Sequence, residues 1–425
     1  MSKTKTILML TKSYPYGTEE SFIENEIKIL SKNFHEIIII ACEVPHKEIR
    51  IREVPKNVRV HRILNRNKKM QMLIDILMSV RLQIKTNQYL KNEYNNRTKL
   101  GEKIFMRYFE AKAKRIFSSI IKEKILGTVK DKKLVLYSYW LFTTARVGSM
   151  IMEKMKLEVV YSFTRAHRYD LYKDRNPLNY LPERELLLSS YDNIFPCSEN
   201  GTIYLKEEYP KFSHKIEKSL LGTIDNGVSE PSKDGVFRIV SCSRVEPLKR
   251  VERLASSLAL LDNKLSKKDS VKIEWTHIGS GSGFDKLKKQ VNNTIKNITV
   301  RFTGNISNNE VLDFYKENPV DLFINVSNSE GLPVSIMEAT SYSIPIIATN
   351  VGGTNEIVFN GNNGFLISSD FKDEELINYI EKMVSLKLNG EYDKFRKKTR
   401  KIWEDNFRAI ENYNSLCEKI LETIK

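Results

Sequence analysis

Leu322-Phe323-Ile324-Asn325-Val326 passes through Ser327-Asn328-Ser329-Glu330-Gly331-Leu332-Pro333 into Val334-Ser335-Ile336-Met337-Glu338-Ala339. An apolar run of strand length, a turn containing glycine, and a helical pattern follow one another, which is the βα unit of a parallel sheet. Such a unit puts free N–H groups and the positive end of a helix dipole at the strand's carboxyl edge, where open α/β sheets take ligands. Glu330 falls in the turn and Glu338 two turns into the helix, on roughly the same side. Two carboxylates so placed can accept hydrogen bonds from hydroxyl pairs such as those of a sugar and a ribose. Their spacing alone means little, because 53 acidic residues in 425 give about seven acidic pairs at any chosen spacing by chance. The neighbouring motifs have to carry the reading.

Working outward, short β-branched runs alternate with helical patterns along the whole chain, so the fold class is α/β. Strands are predicted at Thr6–Leu10, Ile37–Ala41, Leu134–Tyr139, Val159–Phe163 and Ile194–Cys197. A second set is predicted at Arg238–Ser241, Lys272–Ile278, Thr299–Phe302, Leu322–Val326, Ile346–Ala348 and Phe365–Ile367. A chain of 425 residues exceeds the roughly 250–300 that one core supports, so at least two domains are expected. The turn-rich stretch from Asp225 to Gly235 reads as the link, giving domains over 1–225 and 236–396 and a C-terminal segment over 397–425. Of 18 glycines, 13 fall at or after Gly222. Backbone-exposing loops, and with them an anionic ligand, are therefore expected in the second domain.

Composition narrows the function. With 41% hydrophobic and 29% charged residues the chain is too apolar to be disordered. No apolar stretch approaches the roughly 18–20 residues of a membrane span. The N-terminal apolar run is too short for a signal-peptide core, so a cytoplasmic location is expected. Cys42, Cys197, Cys242 and Cys417 stand far apart, which argues against a disulfide framework and a zinc knuckle and for buried small hydrophobes. The formal charge of +16 is concentrated, with 19 Lys/Arg and 6 Asp/Glu between His61 and Lys133. Ile104, Phe105, Tyr108, Phe109, Ile116, Phe117, Ile120 and Ile121 have helical spacing there, reading as basic amphipathic helices. Two roles compete: packing on the domain with lysines facing water, or attachment to an anionic membrane surface. Nucleic acid is not expected, because no recognition pattern accompanies the charge.

Other strand-turn elements supply the context. Ser241-Cys242-Ser243-Arg244-Val245-Glu246-Pro247-Leu248-Lys249-Arg250 follows a strand and opens a helix. Arg244 and Lys249 there suit one diphosphate, as a bidentate fork and a point charge. His277-Ile278-Gly279-Ser280-Gly281-Ser282-Gly283 suggests a dinucleotide fingerprint, but no acid occurs from Lys286 through Asn309, so NAD is not expected. A backbone turn abutting a nucleotide fits better, as it does for Phe302-Thr303-Gly304-Asn305-Ile306. Thr349-Asn350-Val351-Gly352-Gly353-Thr354-Asn355-Glu356 follows a strand with a tight turn. In the first domain Phe163-Thr164-Arg165-Ala166-His167-Arg168-Tyr169-Asp170 leaves a strand with a histidine at its carboxyl end, a catalytic rather than structural position. No Ser/His/Asp set, metal-ligand spacing or Walker loop accompanies these.

Taken together and in this order, the elements from Phe237 to Ile367 resemble the retaining, nucleotide-sugar-dependent glycosyltransferases of family 4. The resemblance implies the GT-B fold, two Rossmann-like domains facing each other across a cleft, here with a basic helical insertion near 61–133 in the first. It implies that Arg244 and Lys249 hold the donor diphosphate, that Glu330 lies near the sugar hydroxyls and that Glu338 holds the ribose. Backbone groups of Gly331, Leu332 and Pro333 would face sugar and phosphate, and those near Asn305, Ile306 and Gly279 the nucleotide. Tyr14-Pro15-Tyr16-Gly17 resembles the family's first loop, with Gly17 alone where many members have two glycines. His167 resembles the histidine near the reacting centre, and 397–425 resembles helices that cross back onto the first domain.

The implied function is retaining transfer of a sugar from a nucleotide diphosphate donor, UDP favoured, to a hydroxyl of a glycan or lipid-linked glycan, in bacterial surface polysaccharide synthesis. No metal or other cofactor is implied. The enzyme would be cytoplasmic, either free or peripheral at the inner face of the plasma membrane. Alternatives are a nucleotide-sugar epimerase of the same fold, or a non-catalytic basic scaffold binding membrane or nucleic acid.

Overall fold

The computed structural model describes residues 5–17, 20–49, 52–65, 68–81, 87–265 and 271–424. The chain divides into two compact units, Met1–Leu220 with Tyr413–Lys425, and Leu221–Asn412. Each is built on one six-stranded parallel sheet.

In the first unit the strands are β1 (Thr6–Thr11), β2 (Glu36–Pro45), β3 (Val58–Asn65), β4 (Lys133–Ser138), β5 (Glu158–Ala166) and β6 (Asn193–Pro196). Their spatial order is β3-β2-β1-β4-β5-β6. The second unit holds β7 (Val236–Cys242), β8 (Lys272–Ile278), β9 (Thr299–Gly304), β10 (Leu322–Asn325), β11 (Ile346–Thr349) and β12 (Gly364–Ile367), in the order β12-β11-β10-β7-β8-β9. Central strands covered on both faces read as unbroken apolar runs. Every residue of β1, β10 and β11 is accordingly buried. Chain direction across the sheet reverses between β1 and β4 and again between β7 and β10. At such a switch point neighbouring loops diverge and leave a crevice at the strands' carboxyl ends.

One strand escapes the sequence patterns. β3, Val58-Arg59-Val60-His61-Arg62-Ile63-Leu64-Asn65, sits at the sheet edge, where only one flank is hydrogen-bonded and charged side chains can reach water. Val58 and Ile63 are buried while Arg59, Arg62 and Leu64 are exposed. The basic segment that begins at His61 therefore starts as strand, and its helices are Lys68–Arg81, Gln88–Asn96 and Leu100–Lys122.

The apolar face expected there also needs correction. In the Leu100–Lys122 helix the buried line runs through Met106, Phe109, Ala113, Ile116 and Ile120, at helical spacings of three and four. Ile104 and Ile121 are exposed. Ala113, Ile116 and Ile120 join Leu8, Leu10, Ile38 and Leu136 in the core of the first unit, whereas Met106 packs in a separate cluster with Leu90, Tyr180 and Leu186.

Residues 225–235, read as a link, are held within the second unit, which begins at Leu221. Ser232 donates from N and Oγ to the fully buried Asp321 carboxylate at 3.0 and 2.6 Å, and Thr223 N–H bonds Phe407 O at 2.9 Å. A polar stretch needs such partners to be fixed without apolar burial. All four cysteines are free thiols, with Cys42, Cys197 and Cys417 buried and Cys242 partly so. Among the described residues no helix is long and apolar enough to cross a membrane.

Candidate functional site

In the second unit the turns leaving the carboxyl ends of five neighbouring strands are stitched together by backbone hydrogen bonds. Gly353 N–H, after β11, donates to Gly331 O at 2.8 Å; Asn328 N–H, after β10, donates to Leu248 O at 2.8 Å. Val245 N–H, after β7, donates to Ser280 O at 3.1 Å, and Gly279 N–H, after β8, to Gly304 O at 2.9 Å, where β9 ends. Two of these joints demand glycine. Gly352 has φ +53° and a Cβ there would lie 2.0 Å from Glu330 O; Gly279 has φ +129° and its Cβ would lie 2.0 Å from Ser243 O. Both glycines thus let one turn close on the next.

The switch point between β7 and β10 is where the charged side chains meet. Lys249 Nζ donates to Glu330 Oε1 at 2.6 Å, although the two are 81 residues apart in sequence. Asn325 Nδ2 reaches the same carboxylate at 3.3 Å and orients the turn by accepting Ser327 N–H at 2.9 Å. Arg250, at φ +51°, clamps the end of β10 by donating to Val326 O at 2.8 Å and Ser327 O at 3.3 Å. Burial alone would push Glu330 up, but the Lys249 ammonium, helped by Ser327 and Asn325, holds it below its ordinary value. This carboxylate is therefore ionised at neutral pH, next to a cation.

Glu338 differs. Its carboxyl is buried in the Val334–Ser341 helix and accepts from Asn308 Nδ2 at 2.7 Å. Burial pushes it up to about 7, with Asn308 opposing. Asn308 begins the helix Asn308–Glu317, directly after the turn bearing Asn305 and Ile306, so the two regions expected to hold ribose and base are tied together. Arg244 lies exposed on its turn and, among the described residues, takes no part in the Lys249–Glu330 pair. Leu332 and Pro333 are buried and Gly331 half-buried, at the start of the Val334–Ser341 helix.

In the first unit, Glu20 ties the loop after β1 to the segment after β4. Its carboxylate accepts Ser13 N–H at 2.6 Å, Tyr14 N–H at 2.5 Å and Trp140 Nε1–H at 2.5 Å. Gly17, at φ +69°, lines a cavity of about 380 Å³ with Lys12, Glu43, Asp75, Lys112 and Arg115. His167 follows β5. Its backbone N–H donates to Asp170 Oδ1 at 2.6 Å, and Leu141 N–H to Asp170 Oδ2 at 2.7 Å. The imidazole packs against Tyr139 and Trp140 at centroid distances of 4.8 and 4.6 Å. Among the described residues neither ring nitrogen has a hydrogen-bond partner. Burial, and after it the neighbouring Arg165, pushes this histidine well below its ordinary value, so it is neutral.

With this geometry in place, comparison with known proteins is informative. Residues 225–402 match the model of the glycosyl transferases group 1 family. The match lies within the second unit and spans less than half of the chain, so this unit is similar to that family. Similar proteins include the O-antigen biosynthesis glycosyltransferase WbnH of Escherichia coli, 29% identical over 211 residues, which cover 48% of this chain and 54% of that one. The chain spans about half the length of the curated relatives it matches. Solved structures with the same fold include a glycosyltransferase from Rickettsia africae, at TM-score 0.65 and 17% identity over the full length of both chains. HepE of Anabaena, in complex with UDP-glucose, superposes at TM-score 0.63 and 12% identity over 98% of this chain and 99% of that one. Both sheets are thus those of the GT-B fold.

Sequence reasoning named Lys249, Glu330 and Glu338 but missed Asn308, Asn325 and Arg250. Asn308 carried no signal of its own, since the helix start it follows is capped by Ser307, which accepts Glu310 N–H at 3.3 Å. Arg250 stood one residue beyond Lys249 and was given no role of its own.

Proposed function

We propose that the protein is a retaining glycosyltransferase that moves a sugar from a UDP-sugar to a hydroxyl of a glycan or lipid-linked glycan, in bacterial surface polysaccharide synthesis. The observation that carries this is the Lys249–Glu330 contact of 2.6 Å at the β7/β10 switch point, in the turn that leads into the helix bearing the Asn308–Glu338 contact. A cation and an ionised carboxylate there suit a diphosphate and a sugar hydroxyl, and the second carboxyl suits a ribose. The group 1 family match supports the reaction class.

In the reaction, the bond from the anomeric carbon to the donor phosphate oxygen breaks as the acceptor oxygen bonds that carbon on the same face. The acceptor proton passes to the departing phosphate, and UDP leaves. Lys249, with Arg244 from the preceding turn, neutralises charge growing on the diphosphate. Glu330 holds the sugar hydroxyls. Peptide groups of Gly331, Leu332 and Pro333 line sugar and phosphate, that of Gly279 abuts the nucleotide, and those of Asn305 and Ile306 face the base. His167, as a neutral imidazole, serves the reacting centre, and Gly17 the loop beside it. The 61–133 segment is read as a basic insertion in the acceptor-binding unit, the 397–425 segment as a tie between the units, and the location as the cytoplasmic face of the membrane.

The test is thermal shift with a panel of nucleotide sugars, then product analysis with membrane extract as acceptor source. UDP and one UDP-sugar should raise Tm, and a glycoside of unchanged anomeric configuration should form. No shift with any nucleotide diphosphate defeats the reading, and release of an altered UDP-sugar without acceptor replaces it with epimerisation.

A further inference from the structure

The helix Lys68–Arg81 is inside out. Every apolar residue from Met70 to Val80 is between 38% and 72% exposed, while Asp75 and Ser79 are 1% and 5% exposed. Gln71, Asp75 and Ser79 repeat at four-residue intervals, so the polar stripe is the one turned to the protein.

The inversion is enforced by specific partners. Arg115 Nε and Nη2 donate to the two Asp75 carboxylate oxygens at 2.7 and 3.3 Å. Arg107 Nε and Nη2 donate to Ser79 O and Val80 O at 2.8 Å each. Both arginines belong to the Leu100–Lys122 helix, which fixes the rotation of the inverted helix about its axis. Turning the apolar face inward would strand Asp75 and Arg115 without each other, a buried-charge penalty that blocks the rearrangement.

The charge around this face selects its occupant. From Arg62 to Lys85 the sequence carries Arg62, Arg66, Lys68, Lys69, Arg81 and Lys85 against Asp75 alone, and Asp75 is neutralised by Arg115. A second copy would bring a like-charged surround to the same contact, which opposes self-association. An anionic lipid surface accepts both features, apolar side chains among the acyl boundary and cations among the headgroups. Fourteen helical residues reach only about 21 Å, short of a bilayer core, so the helix lies in the interface plane.

We propose that the Lys68–Arg81 helix is a lipid-docking element that seats the first unit on an anionic membrane surface. Gln71 and Asp75, on its inward face, line the 380 Å³ cavity that Gly17 also borders. Docking therefore sets that cavity beside the headgroups, where a lipid-linked acceptor presents its sugar. Only this last step rests on the transferase reading.

The experiment is sedimentation of the full chain with phosphatidylcholine vesicles, with and without phosphatidylglycerol. Binding is expected to the anionic vesicles and to weaken with salt. Leu73→Gln with Leu77→Gln, which touches neither ion pair nor cavity, should lower partitioning by about tenfold or more while the circular dichroism spectrum and Tm stay those of the parent chain. Equal binding of parent and variant overturns the proposal, as does failure of the parent to bind anionic vesicles. Conversion of a dimer to a monomer by the two substitutions, with no change at vesicles, assigns the face to a second copy and overturns it equally. Vesicle binding is read without turnover, so its failure and that of the transferase reading are separable.

Discussion

The surroundings of Glu330 and of His167 are built on opposite plans. Glu330 is buried with each charge answered: Lys249 at 2.6 Å, Asn325 at 3.3 Å, and a turn closed over it by Gly352 and Gly353. His167 is buried at the same depth within a shell of Tyr139, Trp140 and Phe22, and both its ring nitrogens go unanswered. A paired buried charge is preorganised, whereas an unpaired buried polar group costs stability and persists where something else uses it. The second unit carries a finished anion-responsive set, and the first an imidazole held in readiness.

The largest expected effect comes from breaking the finished set. Lys249→Ala should lower transfer by about a thousandfold, the scale of losing one preorganised charge at a developing anion. It should also cost stability, by about 1–3 kcal/mol, because Glu330 is left buried without its cation and Lys249 is only partly covered. The double substitution Lys249→Met with Glu330→Gln removes both charges. It should return Tm to near the parent value without returning transfer, which separates the structural from the chemical role. Restored turnover in the double variant would show that the pair is structural only.

A smaller effect sharpens the contrast between the two glutamates. Burial keeps Glu338 protonated up to about pH 7, whereas its ordinary value is 4.5. The native state therefore holds a proton that the unfolded chain has released, and stability contributed by this group falls as pH rises from about 4.5 through 7. Glu330 has the opposite sign: held below its ordinary value, it adds stability above pH 4.5 that is lost as pH drops through its folded value. Glu338→Gln should flatten the fall of Tm between pH 5 and 7, by an amount no greater than about 3 kcal/mol at neutral pH. On the proposed role of this carboxyl as an acceptor for the ribose, UDP binding should weaken in the same variant.

How much of this could be read beforehand follows from where side chains point. β1, β10 and β11 were legible because strands covered on both faces cannot carry charge, and the turn after β10 was legible because glycine and proline punctuate it. β3 was hidden by Arg59, His61 and Arg62, which an edge strand tolerates. Glu330 and Lys249 could be named singly, but their hydrogen bond joins loops 81 residues apart and no local pattern encodes it. Asn308 was hidden because its partner lies 30 residues on. The inverted helix was hidden for a different reason. A periodic pattern reports that a helix has two faces and not which one meets the protein, and here Arg107 and Arg115 on another helix decide it.

The finest test addresses the readiness of His167. Its pKa lies well below the ordinary 6.5, so the unfolded chain takes up a proton that the native state refuses, and stability is lost as pH falls below about 6.5. His167→Phe keeps the stack on Tyr139 and Trp140 and deletes both unpartnered nitrogens. Replacing an unsatisfied polar group by an apolar one of similar shape is neutral or stabilising, so Tm should hold or rise and the acid sensitivity should lessen. Transfer should nevertheless fall by about ten- to a hundredfold, the range of one positioned proton-handling or hydrogen-bonding group. If the Phe variant is both more stable and fully active, the imidazole is a packing element and the asymmetry between the two sites is one of folding alone. If it is more stable and impaired, the stability it forgoes is what an unanswered nitrogen costs a site that needs it.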